Sequence, residues 1–381
     1  MLKHAISTQR RRTPTPLQEA ALYMRPEVKP PLVTELWAYR QISNKVRAQE
    51  MAKRAKLPLV WVDEAAGLSG NTGLEKLTAE RGVLLLRDRI SPFIERFQHP
   101  IGRCTKFFKL TAYNNCNFWC EYCYLYLTFR TQPISTHFIN YEKMYEEIQK
   151  FDKSKIPKAL RILNLGELGD PLAVDYITEF AKQIITFMPR YAPKTRLLFL
   201  TKSNCVNQIL DLDHGNQSVI SFSVNTDTVF HQFEHRTASP EARLIAGKKV
   251  QEAGYELRLR IDPIIFYSTW KKDYLNLIDK IYSFVKPSRI TLGEYRPSKG
   301  LASHISSRFP NSALLRVHRD LVRENGKLRY PKARRIEMFK TIVEQIRKRD
   351  RNVPISLCKE PVQIWKAVGL SIKGLLCNCT N

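Results

Sequence analysis

The sequence predicts an α/β fold, a partial (β/α)6 barrel with a basic N-terminal region and a cysteine-containing C-terminal extension. From about residue 105, apolar runs of strand length alternate with stretches of helical period. Such alternation is typical of parallel sheets and β/α barrels. Before it, Lys and Arg are abundant and prolines interrupt helices, and after residue 296 the alternation fades. These features predict three segments, at 1–90, 91–296 and 297–381.

Six strands are expected in the central segment, at 106–111, 160–165, 196–200, 219–224, 256–261 and 289–292. Helices are expected at 141–151, 175–187, 206–210, 240–253 and 272–285. Ser239 is a plausible N-cap for a helix that begins with Pro240, and Gly254 suits its C′ position. In β/α folds of this kind, ligands bind at the carboxyl ends of the strands.

The N-terminal segment is predicted to be a basic arm that is partly disordered before about residue 30. Residues 35–56 contain neither Pro nor Gly and are rich in Ala, Arg and Lys, which favours a helix. Residues 66–74 predict a turn-rich loop.

The charge balance indicates a polyanionic partner. Lys and Arg total 62 against 36 Asp and Glu, a net charge of +26. Such an excess favours nucleic acid, because each phosphate contact releases a counterion, and we expect DNA. Residues 316–351 are strongly basic, and Tyr lies beside Arg at Tyr295–Arg296 and Arg329–Tyr330, which suits phosphate contact with base stacking. The sequence shows no apolar run of transmembrane length and no secretory signal, so we expect a cytoplasmic protein without membrane contact.

Three of the eight cysteines form the most specific motif, Cys116-x3-Cys120-x2-Cys123, directly after the first predicted strand. Clustered cysteines in a chain expected to be cytosolic favour metal binding over disulfides. A structural zinc requires a fourth ligand nearby. A four-iron cluster held by three cysteines instead leaves one iron open to a ligand that is not protein.

This loop on a β/α pattern resembles the radical S-adenosylmethionine (SAM) superfamily. Residues 90–340 resemble the spore photoproduct lyase family more specifically. The resemblance rests on CEYCYL, LFLTK, SFSVNTD, TASPEARLIAGKKVQEAGY, RFPNSALL and GKLRY.

The resemblance implies a partial (β/α)6 radical-SAM barrel and a site made of strand-end residues. Cys116, Cys120 and Cys123 would hold a [4Fe–4S] cluster whose open iron chelates SAM. The residues expected to contact the cofactor are Glu167, Asp170, Lys202, Ser223 and Asn225. Tyr124 would assist hydrogen-atom transfer.

The chain departs from the family where the lyase has a cysteine that returns a hydrogen atom to the product radical. Glu167 aligns with that cysteine, and a carboxylate cannot replace a thiol in this role because its O–H bond is too strong. Cys205 is a candidate substitute, with a buried structural cysteine as the alternative reading.

The three C-terminal cysteines, Cys358, Cys377 and Cys379, lie outside the lyase pattern. They would hold an auxiliary cluster or a zinc ion, with Cys104 or His318 as fourth ligand. Alternatively they are free thiols, or one of them approaches the active site as the missing donor.

The expected activity is therefore a radical SAM lyase that abstracts hydrogen from nucleic acid and plausibly splits a thymine-dimer photoproduct in DNA. A flavodoxin or ferredoxin would supply the electron. One alternative is a radical SAM enzyme that modifies an RNA base or a protein. A further alternative is a zinc-containing protein that binds nucleic acid without catalysis.

Overall fold

The computed structural model describes residues 32–63, 73–97, 107–324, 326–372 and 377–381. The predicted basic arm before residue 30 and most of the predicted loop at 66–74 lie outside them. Leu32–Asn381 form one compact unit, and the segment boundaries at 90 and 296 stay a prediction. No helix in the described part of the chain is long and apolar enough to cross a membrane.

The described strands are β1 (Glu35–Tyr39), β2 (Leu59–Val62), β3 (Val83–Arg87), β4 (Ile94–Phe97), β5 (Phe107–Leu110), β6 (Tyr113–Asn114), β7 (Trp119–Cys120), β8 (Ser135–Phe138), β9 (Ile162–Asn164), β10 (Arg196–Thr201), β11 (Ser218–Ser223), β12 (Glu234–His235), β13 (Glu256–Ile264), β14 (Arg289–Glu294), β15 (Val322–Glu324), β16 (Lys327–Arg329) and β17 (Ile355–Leu357). The described α-helices are α1 (Lys45–Ala55), α2 (Gly73–Gly82), α3 (Leu125–Thr128), α4 (Tyr141–Lys153), α5 (Asp175–Thr178), α6 (Phe180–Tyr191), α7 (Asp227–Phe233), α8 (Pro240–Glu252), α9 (Trp270–Phe284), α10 (Leu301–Arg308), α11 (Leu314–Val317), α12 (Lys332–Arg349) and α13 (Val362–Ala367).

The main sheet has eight strands in the order β17-β14-β13-β11-β10-β9-β5-β4 and is not closed. Neighbours are parallel except β4, which runs antiparallel to β5. The six predicted strands are its central members, so the predicted α/β barrel-like core is confirmed. The edge strands β4 and β17 were not predicted, because runs of three or four residues carry little periodicity.

A second sheet has the order β2-β1-β3-β8-β6. It corrects the predicted helix at 35–56, because residues 35–39 form strand β1 and the helix begins only at Lys45. Strand β1 pairs with β2 on one side and β3 on the other, and its Leu36 and Ala38 are buried, so tertiary packing overrides local helix propensity. The Asn44 side chain caps α1 by accepting from the Arg47 amide at 2.8 Å.

The helices that cover the main sheet largely follow the expectations. Ser239 caps α8 by accepting from the Ala242 amide at 3.1 Å, and Gly254 follows it with φ +85°. The helix predicted at 175–187 is two helices, because Glu179 adopts a left-handed φ of 46° between α5 and α6. The segment predicted as a short helix at 206–210 is a 3-10 turn at Asn207–Ile209.

The C-terminal residues 377–381 close the amino-terminal end of the main sheet. Arg258, near the start of β13, donates to the carbonyls of Asn378 at 2.7 Å and Thr380 at 2.6 Å. Arg289, at the start of β14, also donates to Thr380 O at 2.9 Å. The Asn381 amide donates to Ala159 O at 3.0 Å. The tail is thus held from several strands.

Replacing Arg258 with Ala tests this closure. The guanidinium is fully buried and also pairs with Glu256 at 2.7 Å, so its removal takes the donor from Asn378 O and one of several donors from Thr380 O and the Glu256 carboxylate. We expect the free energy of unfolding to fall by about 3 kcal/mol in urea titrations. Arg351→Ala, at an exposed arginine, should change it by less than about 0.5 kcal/mol. Equal midpoints for both variants would contradict this assignment.

Candidate functional site

A cavity of about 570 Å³ opens at the carboxyl edge of the main sheet. Residues from the ends of β9, β10, β11, β13, β14 and β17 line it together with the cysteine motif after β5. Parallel strands place their carboxyl ends on one edge, so segments that are distant in sequence meet there. The cavity is therefore where the fold assembles a site.

Cys116, Cys120 and Cys123 all line this cavity. Asn115 precedes them with φ 67°, a left-handed conformation that Asn tolerates, and redirects the chain after β6. Arg81 holds the loop from behind, donating to the Asn115 side chain and, at 2.7 Å, to Cys116 O. The loop is fixed by contacts outside its own sequence.

The short strand β7 ties the motif to the rest of the barrel. Cys120 pairs with Glu234 in the antiparallel ladder between β7 and β12. The Tyr122 hydroxyl donates to the Glu234 carboxylate, which also pairs with Arg243 at 2.5 Å. Burial alone would raise the pKa of Glu234, but the charges of Arg243 and Lys202 hold it below its ordinary value. Glu234 is thus a buried anion that anchors the loop.

The donor chemistry of the loop suits an iron–sulfur cluster. Burial raises the pKa of Cys116 to about 12 and that of Cys120 well above its usual range, so binding of a cluster would release their protons. The Phe118 amide points at Cys116 Sγ at 3.5 Å, the kind of N–H···S contact that tunes such clusters. Within the described residues, no three His, Cys, Asp or Glu are arranged to hold one metal ion. A [4Fe–4S] cluster does not require three ligands around one metal ion, because each cysteine binds a different iron.

Four of the five predicted cofactor contacts line the same cavity, namely Glu167, Asp170, Lys202 and Ser223. Asp170 joins two strand ends, because its carboxylate accepts from Thr201 Oγ1 at 2.7 Å and from the Lys202 amide at 2.7 Å. Lys202 places its ammonium 5.6 Å from the Tyr122 ring centroid.

Glycine brings the loop after β9 close to the cysteine motif. A Cβ at Gly169 would lie 2.7 Å from Asn115 O, a separation that side chains do not adopt. Gly169 is therefore required for this approach. Tyr124 spans the same gap, since its hydroxyl donates to the backbone carbonyl of Glu167 and both residues line the cavity.

Asn225, the fifth predicted cofactor contact, is not among the cavity-lining residues. It lies beyond the end of β11 with 1% of its surface exposed. Its Nδ2 donates to Pro263 O at 2.7 Å, and its Oδ1 accepts from the Tyr274 hydroxyl at 2.9 Å. The strand ends at Ser223, so the alternation of side chains along β11 does not determine the direction of Asn225. Its contacts indicate a structural role.

Cys205, the predicted substitute donor, is likewise outside the set of cavity-lining residues. Its Sγ contacts the Gln208 side chain, with Nε2 at 3.4 Å. Gln208 in turn donates to Asp175 at 2.7 Å. The turn after β10 directs this thiol towards α5, so the structure gives the predicted catalytic role no support.

The three C-terminal cysteines, in contrast, do line the cavity. Cys358 Sγ accepts from Arg260 at 3.5 Å and Arg296 at 3.3 Å. A hydrogen bond between the thiols of Cys377 and Cys379 lowers the pKa of Cys377 to about 6 and raises that of Cys379 well above its ordinary value. Cys379 therefore keeps its hydrogen at neutral pH.

Neither suggested fourth ligand joins these cysteines in the described structure. His318 makes a 2.5 Å contact with the Tyr295 hydroxyl and is not among the cavity-lining residues, whereas Cys104 lies outside the described residues.

Arg260, Asp262 and Arg296 form a charged group on the cavity wall, and of these three only Arg296 was expected to contact a ligand. Asp262 accepts from Arg296 at 3.1 Å and lies 3.7 Å from Arg260. Burial alone would raise the pKa of Asp262, but Arg296 and Arg260 lower it, so the carboxylate stays ionised. The period of two along β13, which puts Arg258, Arg260 and Asp262 on one side, is the signal that was available.

Comparison with known proteins identifies one family along a large part of the chain. The family model for spore photoproduct lyase matches residues 99–349. Spore photoproduct lyase of Geobacillus sp. (strain Y412MC61) is 26% identical over 257 residues, which cover 66% of this chain and 73% of that protein. The Bacillus subtilis (strain 168) lyase is 30% identical over 162 residues, covering 42% and 47% of the two chains.

Solved structures agree in fold. A spore photoproduct lyase mutant with bound SAM and dinucleoside spore photoproduct superimposes with a TM-score of 0.76 at 21% identity, covering 87% of this chain and 100% of that one. A spore photoproduct lyase complexed with the dinucleoside spore photoproduct gives a TM-score of 0.76 over 86% of this chain and 99% of that one.

Iron binding tests the role of the cysteine loop. Cys116→Ala, Cys120→Ala and Cys123→Ala should each lose most of the roughly four irons per chain that anaerobic reconstitution gives the wild type. Iron and sulfide analysis with the visible absorption spectrum measures this. Cys205→Ala should retain its iron, because its thiol faces Gln208. A loop variant with full iron content would rule out this site.

Proposed function

This chain belongs to the spore photoproduct lyase family of radical SAM enzymes, which use a [4Fe–4S] cluster and SAM, and we propose that it repairs a thymine-dimer photoproduct in DNA. The observation that carries the proposal is the shared cavity, in which the three motif cysteines face Lys202, Glu167 and Ser223 across the strand ends. Cys116, Cys120 and Cys123 would hold the cluster and Lys202 would contact SAM, which together would supply the radical chemistry for hydrogen abstraction from the substrate.

The residues around the cysteine loop bind and orient SAM in this proposal. Lys202 provides a positive charge for the cofactor's carboxylate. Within the described part of the chain, the Glu167 carboxylate makes no hydrogen bond, so it is available to the amino group. Asp170 positions the loop after β9 relative to the end of β10, because its carboxylate oxygens accept hydrogen bonds from Thr201 and the Lys202 amide. It sets the distance between the two loops.

The outer wall of the cavity suits a nucleic-acid substrate. Arg260, Arg296, Lys327 and Lys359 line it and provide cations for phosphate. A base can react inside the barrel only after leaving its stack, and a lesion that pairs poorly leaves it at least cost. This chemistry favours a damaged base over an intact one.

The unpaired cysteines and the cluster indicate the compartment and the electron donor that the protein requires. The seven cysteines that the structure describes are all unpaired, which suits a reducing compartment, and we propose the cytoplasm. A one-electron donor of the flavodoxin or ferredoxin class would reduce the cluster.

The decisive assay incubates the reconstituted protein anaerobically with SAM, a reductant and the dinucleoside spore photoproduct. We expect conversion to the two thymidine units, measured by chromatography. Steady cleavage of SAM without loss of the photoproduct would overturn the proposed substrate and favour an RNA base or a protein instead.

Two lysine variants make the assay specific to the cavity. Lys202→Met should raise the KM for SAM by about tenfold, because a charge-assisted hydrogen bond is lost. Lys182→Met removes the same charge from an exposed position on α6 and should leave the KM unchanged. An equal effect of both would indicate a general charge effect rather than cofactor binding.

A further inference from the structure

The C-terminal tail does more than close the barrel, since it points two thiols into the reaction cavity. Cys377 and Cys379 are 8% and 4% exposed and pack against Phe97 and Phe107. Both line the same cavity as the cysteine loop. They reach it from the amino-terminal end of the sheet, whereas the loop lies at the carboxyl end.

The residue between the two cysteines fixes their position. The Asn378 amide donates to Thr291 Oγ1 at 3.2 Å, and its Nδ2 donates to Ser221 Oγ at 2.8 Å. Asn164 donates to Cys379 O at 3.4 Å. The tail is therefore bound to side chains of β9, β11 and β14. These hydrogen bonds position the two thiols. None of them is made by a cysteine sulfur, so the fold of the tail does not depend on the thiols.

Glu167 itself cannot serve as the hydrogen donor in this cavity. A carboxylic O–H bond is too strong to give its hydrogen to a carbon radical, whereas a thiol S–H bond is weak enough. Among the described residues, the thiols that line the cavity outside the cysteine loop are Cys358, Cys377 and Cys379. Cys358 Sγ is already engaged by Arg260 and Arg296, whereas Cys377 and Cys379 lie next to each other in the tail.

We propose that Cys379, with Cys377 as its partner, donates the hydrogen atom that ends the substrate radical. This assignment rests on the proposed function above. The S–H bond of Cys379 breaks homolytically, a C–H bond forms on the substrate, and a thiyl radical remains on sulfur. One electron from the flavodoxin- or ferredoxin-class donor and one proton from water restore the thiol. Before that reduction, the neighbouring sulfur of Cys377 shares the unpaired electron of the Cys379 thiyl radical.

Turnover in D2O tests the assignment, because a thiol exchanges its hydrogen with solvent and passes on deuterium. The thymine product of the wild type should carry solvent deuterium. In Cys379→Ala and Cys379→Ser, the deuterium-labelled product should fall about tenfold or more while SAM cleavage continues. Lys182→Met, at an exposed position on α6, should match the wild type. Mass spectrometry of the product gives the readout.

A second measurement does not depend on turnover. Bound dinucleoside photoproduct should slow alkylation of Cys379 by iodoacetamide in the cluster-loaded protein, as followed by peptide mass spectrometry. Iron content should be unchanged in Cys379→Ala. Loss of about half the iron would instead show that the tail holds a second cluster, and would overturn the assignment.

The outcomes separate this inference from the proposed function. If Cys379→Ala repairs the photoproduct with the same deuterium content as the wild type, the donor assignment alone fails. If only Cys205→Ala loses the label, the donor is Cys205. If the wild type neither binds nor repairs the photoproduct, the proposed function fails, and the donor assignment fails with it.

Discussion

The buried ion pair between Glu234 and Arg243 holds the cysteine loop against the barrel, and the site depends on it. Both side chains are fully buried, and Arg243 also donates to Ser223 O at 2.8 Å. The pair thereby joins the end of β11 to the strand that carries Cys120. A two-residue strand such as β7 has little stability of its own. Removing either partner would leave an uncompensated charge beneath the loop.

The two ends of the barrel contribute different sulfur chemistry to one cavity. At the carboxyl edge, three cysteines lie on a loop that Arg81 and Glu234 hold rigidly. At the amino edge, the last five residues enter beneath the strands and are fixed by Arg258 and Asn378. The groups that start a radical reaction and those that end it would thus act on a substrate between them.

How much the sequence reveals depends on whether a feature is local. The six core strands and the cap at Ser239 follow from periodicity and local composition, and the cysteine motif follows from spacing alone. Strand β1 and the tail do not, because only tertiary pairing turns residues 35–39 into a strand and directs Cys379 into the cavity. Cys205 and Asn225 show the same limit, since backbone turns after β10 and β11 set their direction.

The most direct test of the central claim is electron–nuclear double resonance of the reduced cluster with SAM labelled by 15N at the amino group and 17O at the carboxylate. Three cysteine ligands leave one iron open, so both labels should couple to the cluster. A reduced cluster that shows neither coupling with saturating cofactor would contradict the site described for Cys116, Cys120 and Cys123.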